Sequence, residues 1–172
     1  MIVAWHRAAL VVAMAAVLVA GACCRARDGA MPAEGLREAV DATLDGFHQA
    51  AANADEESYF ALFAPEGVFL GTDGAERWTL AEFRDFAEPY FQGRSAWVFT
   101  PGVRHVVFSP GGKIASFDES LLSATYGECR GTGVLRLIDG RWRIVQYSLS
   151  IPIPNAMARD VVEQIRATGS GG

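Results

Sequence analysis

Two adjacent carboxylates stand in the middle of an otherwise apolar segment. Asp118 and Glu119 lie within residues 113–125, a run that predicts a β-strand. Successive side chains of a strand point to opposite faces, so at most one of the two carboxylates enters the protein interior. The face of Glu119 also carries three apolar residues, Ala115, Phe117 and Leu121. Burial among them would raise the pKa of the Glu119 carboxyl and let it act as a general acid or base.

The same pair also allows a structural interpretation. Either carboxylate could form an ion pair with one of three arginines, Arg77, Arg104 or Arg130. If the protein is an enzyme, Glu119 or Asp118 is the candidate general base, and Tyr147 or Arg130 is the candidate group that polarises the substrate. The two interpretations differ in one property. A catalytic carboxyl faces a cleft, whereas a structural carboxyl is saturated by its partners.

A second group of residues could bind a planar molecule. Arg77 stands beside Trp78 in a loop that also holds Asp73 and Glu76, and an arginine next to an indole could clamp an anionic or planar ligand. The alternative is that salt bridges within the loop brace it. Further candidates for the lining of a pocket are Trp97, Arg130, Gln146 and Tyr147. Tyrosine and tryptophan suit this role because each offers an apolar body with one polar group.

Other chemistries have weaker support in the sequence. His48 lies beside Phe47 on a predicted helix and is interpreted as a histidine at the boundary of the core. Cys129 is interpreted as a buried, unpaired thiol; a reactive thiol is the alternative, because Arg130 adjoins it. The carboxylates lack the spacing of an EF-hand or of a histidine-rich site, so no metal is predicted. No glycine motif stands between a strand and a helix to bind phosphate, so no cofactor is predicted.

A long hairpin must position the candidates on the last strands. Residues 129–150 hold two runs of β-branched, apolar and aromatic residues on either side of Asp139 and Gly140. This pair suits a two-residue type I′ turn, which needs φ > 0 at both positions. Strict alternation beyond the turn gives two faces, Trp142, Ile144, Gln146 and Ser148 on one and Arg143, Val145, Tyr147 and Leu149 on the other. Both faces are mixed, which is typical of a strand that lines a partly wet cavity.

Helices precede these strands. Apolar residues at helical spacing predict a long amphipathic helix over residues 32–53. Asp55 predicts the N-cap of a short second helix, and residues 79–82 (TLAE) form a capping box for a third. A last helix is predicted after Asn155. Helices followed by a run of antiparallel strands predict an α+β fold, with the helices packed on one face of a curved sheet.

This order of elements, with particular residues in it, resembles the SnoaL-like branch of the nuclear transport factor 2-like superfamily. The resemblance covers residues 36–154. It is carried by five segments, residues 64–69 (APEGVF), 71–78 (GTD and ERW), 117–119 (FDE), 129–135 (CRGTGVL) and 140–145 (GRWRIV). It implies a cone-shaped, curved antiparallel sheet wrapped around the N-terminal helices, with an apolar pocket at one end.

The resemblance leaves the activity open. Relatives include isomerases, cyclases and dehydratases as well as binding and interaction modules. Many SnoaL-like proteins place histidines near the end of the last strand, where this chain has Gln146 and Ser148. The loss of that titratable pair favours a protein that binds a small, apolar or planar molecule without turning it over. The alternatives are an isomerase, cyclase or hydro-lyase, and a dimerisation or protein-interaction module that would form a homodimer.

The first residues predict export. Residues 8–20 are an unbroken apolar run after a weakly basic start, too short for a comfortable membrane span. Cys23 follows two small residues and resembles the lipidated cysteine of bacterial lipoproteins on the periplasmic or cell surface; ordinary cleavage and secretion are the alternative. The chain then divides into a signal peptide (1–22), a lipid anchor and flexible tether (23–35), the SnoaL-like domain (36–166) and a disordered tail (167–172).

Composition narrows the range of partners. The chain has 20 Asp and Glu against 15 Lys and Arg, a formal net charge of −5, so no basic surface for nucleic acid is predicted. Its hydrophobic content of 51% supports the packed core of one domain. The expected partners are a small molecule and, through the lipid anchor, a membrane.

The predicted membrane attachment can be tested by replacing the cysteine that would carry the lipid. Replacing Cys23→Ser should move the protein from the membrane pellet to the soluble envelope fraction, because stable anchoring needs acyl chains. The fold should be unchanged, since the anchor precedes the domain. Mass spectrometry of the mature N-terminus is the measurement. An unmodified terminus, or one produced by cleavage elsewhere, would contradict lipidation.

Overall fold

The computed structural model describes residues 33–169. The signal peptide, Cys23 with its predicted lipid anchor, most of the tether and the last three residues lie outside the described residues. Within residues 33–169, no helix is long and apolar enough to cross a membrane.

Three of the four described helices precede the last four strands, which is the order that the α+β prediction requires. In chain order they are α1 (Ala33–Ala52), α2 (Glu56–Ala61), β1 (Phe63–Leu70), β2 (Arg77–Thr79), α3 (Leu80–Phe91), β3 (Thr100–Phe108), β4 (Ile114–Ser123), β5 (Gly127–Ile138), β6 (Arg141–Ser150) and α4 (Ala158–Gly169). α4 continues to Gly169, past the point where the sequence analysis ended the domain.

The strands form one curved, six-stranded sheet. Its order is β2–β1–β6–β5–β4–β3, and β1 runs parallel to β6 while the other neighbours are antiparallel. β1, the first strand, therefore lies beside β6 and joins the N-terminal part of the described chain to the β5–β6 hairpin. This architecture confirms the predicted α+β fold.

α1 supplies the centre of the core. Val40, Leu44, Phe47 and Ala51 repeat at helical spacing and are 0–3% exposed. Their stripe packs with aromatic residues of α2, with β1 and with the inner face of β6. Burial of each large apolar side chain contributes about 1.5–3 kcal/mol relative to exposure, so this stripe is what holds α1 on the sheet.

Local capping signals in the sequence are formed as predicted. Asp55 accepts a hydrogen bond from the backbone N–H of Ser58 at the start of α2. Thr79 and Glu82 form the predicted capping box of α3. These contacts satisfy backbone N–H groups that a helix start leaves without partners.

The β5–β6 hairpin forms at the predicted turn. Asp139 has φ 49° and Gly140 has φ 75°, as a type I′ turn requires. The prediction that side chains alternate strictly along β6 was wrong, however. Leu135 pairs with Ile144 and Val134 pairs with Gln146, so Val145 is an extra residue, a β-bulge.

The bulge changes which side chains point inward. Trp142 and Ile144 are buried before it, and Tyr147 is buried after it, while Gln146 is exposed. One inserted residue shifts a period-two pattern by one position. The faces predicted for Gln146 and Tyr147 are therefore exchanged.

Trp142 tests the face assignment before the bulge. It is 5% exposed and lies 5.8 Å from Phe108 between ring centroids. Trp142→Ala should lower the free energy of unfolding by about 3–5 kcal/mol, because it removes a large buried aromatic. The exposed neighbour provides the control, since Arg141→Ala should change the free energy of unfolding by less than about 0.5 kcal/mol. Equal urea midpoints for the two variants would contradict the packing described here.

Candidate functional site

A cavity of about 460 Å³ opens between the helices and one end of the sheet. Its wall comes from α1, α2, α3, β1, β2, β6, the β1–β2 connection and two segments around residues 96–99 and 123–126. This volume falls within the range of small-molecule sites.

Aromatic rings make up most of the lining. Eleven lining residues are Phe, Tyr or Trp. The buried ones are Phe47, Tyr59, Phe69, Phe83 and Tyr147, and exposed rings at the rim are Phe86, Tyr90 and Tyr126. The rings hold one another in place. Phe69 and Phe83, for example, stack with centroids 3.9 Å apart.

A buried carboxylate lies behind this lining. Glu119 is 1% exposed, and both of its oxygens are occupied. Oε1 lies 2.8 Å from Nε2 of His48 and accepts a hydrogen bond of 3.0 Å from the hydroxyl of Tyr147. Oε2 accepts a hydrogen bond of 2.8 Å from Nε of Arg104 and lies 2.8 Å from its Nη2. The carboxylate thus joins α1, β3 and β6.

Arg104 connects this carboxylate to the surface of α1. Its guanidinium lies 3.1 Å from Asp41 and 2.9 Å from Asp45, two residues one helical turn apart. Asp41 also pairs with Arg37 on the same helix. A buried guanidinium needs such compensation, because removing its charge from water without partners is costly.

The network sets the protonation states of its members. Burial works to raise the pKa of Glu119, but hydrogen bonding and charge from His48 and the charge of Arg104 hold that pKa below its ordinary value. Burial and the charge of Glu119 raise the pKa of Tyr147 well above its ordinary range. Glu119 is therefore ionised and accepts, while Tyr147 keeps its proton and donates.

A glycine in β5 makes room for this contact. A Cβ at Gly131 would lie 2.3 Å from the hydroxyl of Tyr147 and 2.9 Å from Oε1 of Glu119. Any side chain at Gly131 would therefore push the two partners apart. The glycine is explained by close packing rather than by phosphate binding.

His48 stands between the network and the cavity. It lines the cavity and is 7% exposed. An ionised carboxylate only accepts hydrogen bonds, so Nε2 of His48 carries a proton and donates a hydrogen bond to Glu119. Nδ1 is the nitrogen left for a ligand, and the carboxylate fixes the orientation of the ring.

Tyr59 contributes a second polar group to the lining. It is fully buried, and Trp97 is the polar side chain beside its hydroxyl. Burial raises the pKa of Tyr59 well above its ordinary value, and the polar contact from Trp97 lowers it to a smaller extent. The hydroxyl is therefore a protonated group.

The residues predicted to bind a ligand divide into two groups. Trp78, Trp97 and Tyr147 line the cavity. Arg77, Arg130 and Gln146 are exposed and do not line it. Arg77 lies on the opposite face of β2 from Trp78, Arg130 lies on the outer face of β5, and Gln146 is turned outward by the bulge.

The predicted carboxylate pair also divides. Glu119 points inward among its three apolar neighbours, as expected, but Arg104, His48 and Tyr147 saturate it. Asp118 is exposed and pairs with His105 at 3.0 Å. Neither carboxylate reaches the cavity to act as a general base. No cluster of His, Cys, Asp or Glu among residues 33–169 is arranged to hold a metal ion.

The cavity roles of His48 and Tyr59 were not predicted from the sequence. Asp41, Asp45 and His48 follow one another at spacings of four and three, a polar stripe on an otherwise apolar helix, and that stripe was the available signal. Tyr59 offered no comparable signal, because its pattern is that of any inward aromatic. Glu76 was seen only as part of a charged loop, yet it lines the cavity.

Comparison with known proteins agrees with this architecture. The family model of the SnoaL-like domain matches residues 40–154, which is more than half of the chain. The chain belongs to the SnoaL-like domain family. No curated protein sequence gave a match.

Solved structures similar to this SnoaL-like domain share its fold at low identity. An NTF2-like protein of unknown function from Pseudomonas putida KT2440 has a TM-score of 0.59 and 16% identity, over 73% of this chain and 92% of that chain. A protein from Novosphingobium aromaticivorans described as an aromatic ring hydroxylase has a TM-score of 0.59 and 18% identity, over 72% of this chain and 94% of that chain. A protein from the same species described as a scytalone dehydratase has a TM-score of 0.55 and 10% identity, over 68% of this chain and 84% of that chain. These identities show the fold alone.

The charge on Glu119 gives the SnoaL-like domain a testable pH dependence. Glu119→Gln should lower the free energy of unfolding at pH 7 by about 3 kcal/mol, because Arg104 loses its inner counter-ion. The folded-state pKa lies below the ordinary 4.5, so this stabilisation is complete above pH 4.5 and is lost as pH falls through the folded value. Urea unfolding of wild type and variant near pH 7 and pH 3.5 measures the difference.

The exposed neighbour again supplies the control. Asp118→Asn removes a carboxylate of the same strand whose ion pair is solvated, and it should change stability by less than about 1 kcal/mol. A Glu119→Gln effect that does not diminish between pH 7 and pH 3.5 would contradict a lowered pKa of Glu119 in the folded protein.

Proposed function

We propose that this SnoaL-like domain binds a small, planar, largely apolar molecule in its aromatic cavity, with a polar group of that molecule near His48 and Tyr59. The cavity of about 460 Å³, lined by eleven aromatic residues, is the observation that carries the proposal. Tyr59 and His48 are the polar residues of this lining that would orient a ligand. The surrounding rings provide apolar area for the rest of the molecule.

The preorganised walls favour binding further. Phe69, Phe83 and Tyr147 are buried and stack or pack on one another, so they lose little conformational freedom when a ligand enters. Rigid rings give contact area at a low entropic cost. His48 is likewise held in one orientation by Glu119. The site is thus ready for a rigid, flat molecule.

A second candidate function is acid–base catalysis at the same site. It is supported by the hydrogen bond from His48 to Glu119, since a carboxylate that orients a histidine is a recurrent arrangement in general acid–base catalysis. In this reading His48, not Glu119 or Asp118, would exchange a proton with the substrate of an isomerase or hydro-lyase. Tyr59 would then polarise the substrate.

We also propose that the domain acts at a membrane surface, held by a lipid at Cys23. The apolar run before the cysteine supports this localisation. Binding at the cavity does not depend on it.

Blocking the cavity tests the binding function. N-phenyl-1-naphthylamine, a flat uncharged fluorophore that brightens in apolar sites, should bind wild type saturably. Ala96 lines the cavity, so Ala96→Phe should weaken binding by about tenfold or more, because the new ring occupies part of the ligand's volume. Ala81→Phe introduces the same ring on the exposed side of α3 and should leave affinity unchanged. Saturable binding that both variants retain equally would contradict the proposal.

The same preparations separate binding from catalysis. Molecules that bind wild type should be recovered unchanged after prolonged incubation, as mass spectrometry of the extract would show. Conversion by wild type that His48→Gln abolishes while retaining affinity would favour the enzyme instead.

A further inference from the structure

The charge of the cavity lining points to a class of ligand. Among the residues the structure describes, the lining contains no lysine or arginine, and Glu76 is its single carboxylate. The rest is aromatic, apolar or uncharged, apart from His48. Among residues 33–169, the one positive charge that an anion could meet in this lining is that of His48, and Glu119 already pairs with it.

Glu76 is held at the cavity in a defined position. Its Oε2 accepts a hydrogen bond of 3.1 Å from the backbone N–H of Asp73, and its backbone carbonyl accepts one of 2.9 Å from Gly71. A Cβ at Gly71 would lie 2.1 Å from Oε2, so the glycine gives the carboxylate its place. Within residues 33–169, the hydrogen bond to the Glu76 carboxylate is made at Oε2, and Glu76 lines the cavity.

An aromatic surface accompanies this carboxylate. Glu76 and Trp78 are two positions apart, next to and within β2, and both line the cavity. Trp78 stacks on Phe86 with centroids 4.5 Å apart at the rim. The negative face of an aromatic ring attracts a cation, and tryptophan does so most strongly.

The nearby arginines do not cancel this charge. Arg77 points to the other side of β2, where its charge contributes, after the Thr79 hydrogen bonds, to a lowered pKa of Glu82. Arg84 pairs with Glu56 outside the cavity. Arg104 lies behind Glu119, which neutralises it.

We infer that the cavity selects organic cations, namely flat apolar molecules that carry a quaternary or tertiary ammonium group. The ammonium lies against Trp78 and the Glu76 carboxylate, and the flat part lies deeper among the buried rings. This inference rests on the proposed function, because it names the ligand class of the same cavity. A contact between a cation and an aromatic face strengthens binding by about 2- to 30-fold.

Three probes of matched shape test the selection. They are trimethyl(2-naphthylmethyl)ammonium, its uncharged isostere 2-neopentylnaphthalene, and the anion 2-naphthylmethanesulfonate. Each is titrated against the folded protein, with quenching of Trp78 and Trp97 fluorescence as the readout. The cation should bind at least about fivefold more tightly than the isostere, and the sulfonate most weakly. Added salt should weaken binding of the cation but not of the isostere.

A variant assigns the preference to Glu76. Glu76→Gln keeps an oxygen acceptor for the Asp73 N–H but removes the charge, so it should lower affinity for the cation about three- to tenfold. Affinity for the isostere should stay unchanged, which also shows that the cavity remains folded. Glu57→Gln, an exposed carboxylate on α2 outside the lining, is the matched control and should change neither affinity.

The possible results separate the two proposals. If the isostere binds as tightly as the cation, or the sulfonate binds most tightly, the inference is overturned while the aromatic cavity remains a binding site. A cation preference that Glu76→Gln leaves unchanged also overturns it. If none of the three probes binds and N-phenyl-1-naphthylamine does not bind either, the proposed function itself fails.

Discussion

The charge on Glu119, buried far from water, is the constraint on which the rest of this structure depends. An ionised carboxylate is stable in such a place only if donors surround it, and here they come from three elements that are distant in sequence. His48 donates from α1, Arg104 from β3 and Tyr147 from β6. None of these elements can slide by one residue without leaving the charge unpaired. The carboxylate therefore fixes the position of the central helix on the sheet, beyond what apolar packing alone would specify.

Features of the strands that look irregular follow from this constraint. The bulge at Val145 rotates Tyr147 from the outer to the inner face, so that its hydroxyl reaches the carboxylate. Gly131 leaves the space that this hydroxyl occupies. On the helix, Asp41 and Asp45 balance the guanidinium of Arg104 and extend the network to a cleft at the surface. A continuous path of ion pairs and hydrogen bonds thus runs from solvent to His48.

The network and the cavity divide the interior into two regions with different properties. In the first, every charge is paired, so the region provides rigidity and holds His48 in one orientation. In the second, aromatic rings enclose free volume, and Tyr59 and Glu76 are among the polar residues of the lining. The second region therefore offers a ligand both apolar area and polar groups. The two regions share α1, which forms one wall of the cavity and is held on the sheet by the charged network.

Much of the fold was determined by the sequence alone, because its signals are local. Helical periodicity, the caps at Asp55 and Thr79 and the turn at Asp139 depend only on neighbouring residues, and each was correctly predicted. The split of the carboxylate pair followed likewise from the alternation of a strand. What the sequence did not determine was which side chains meet. The bulge depends on how β6 pairs with β5, and the partners of Glu119 lie 15 to 71 positions away. Periodicity says that a residue points inward but not what it meets there, so only the tertiary structure decided that His48, Tyr59 and Glu76 face one cavity and that Glu119 supports it from behind.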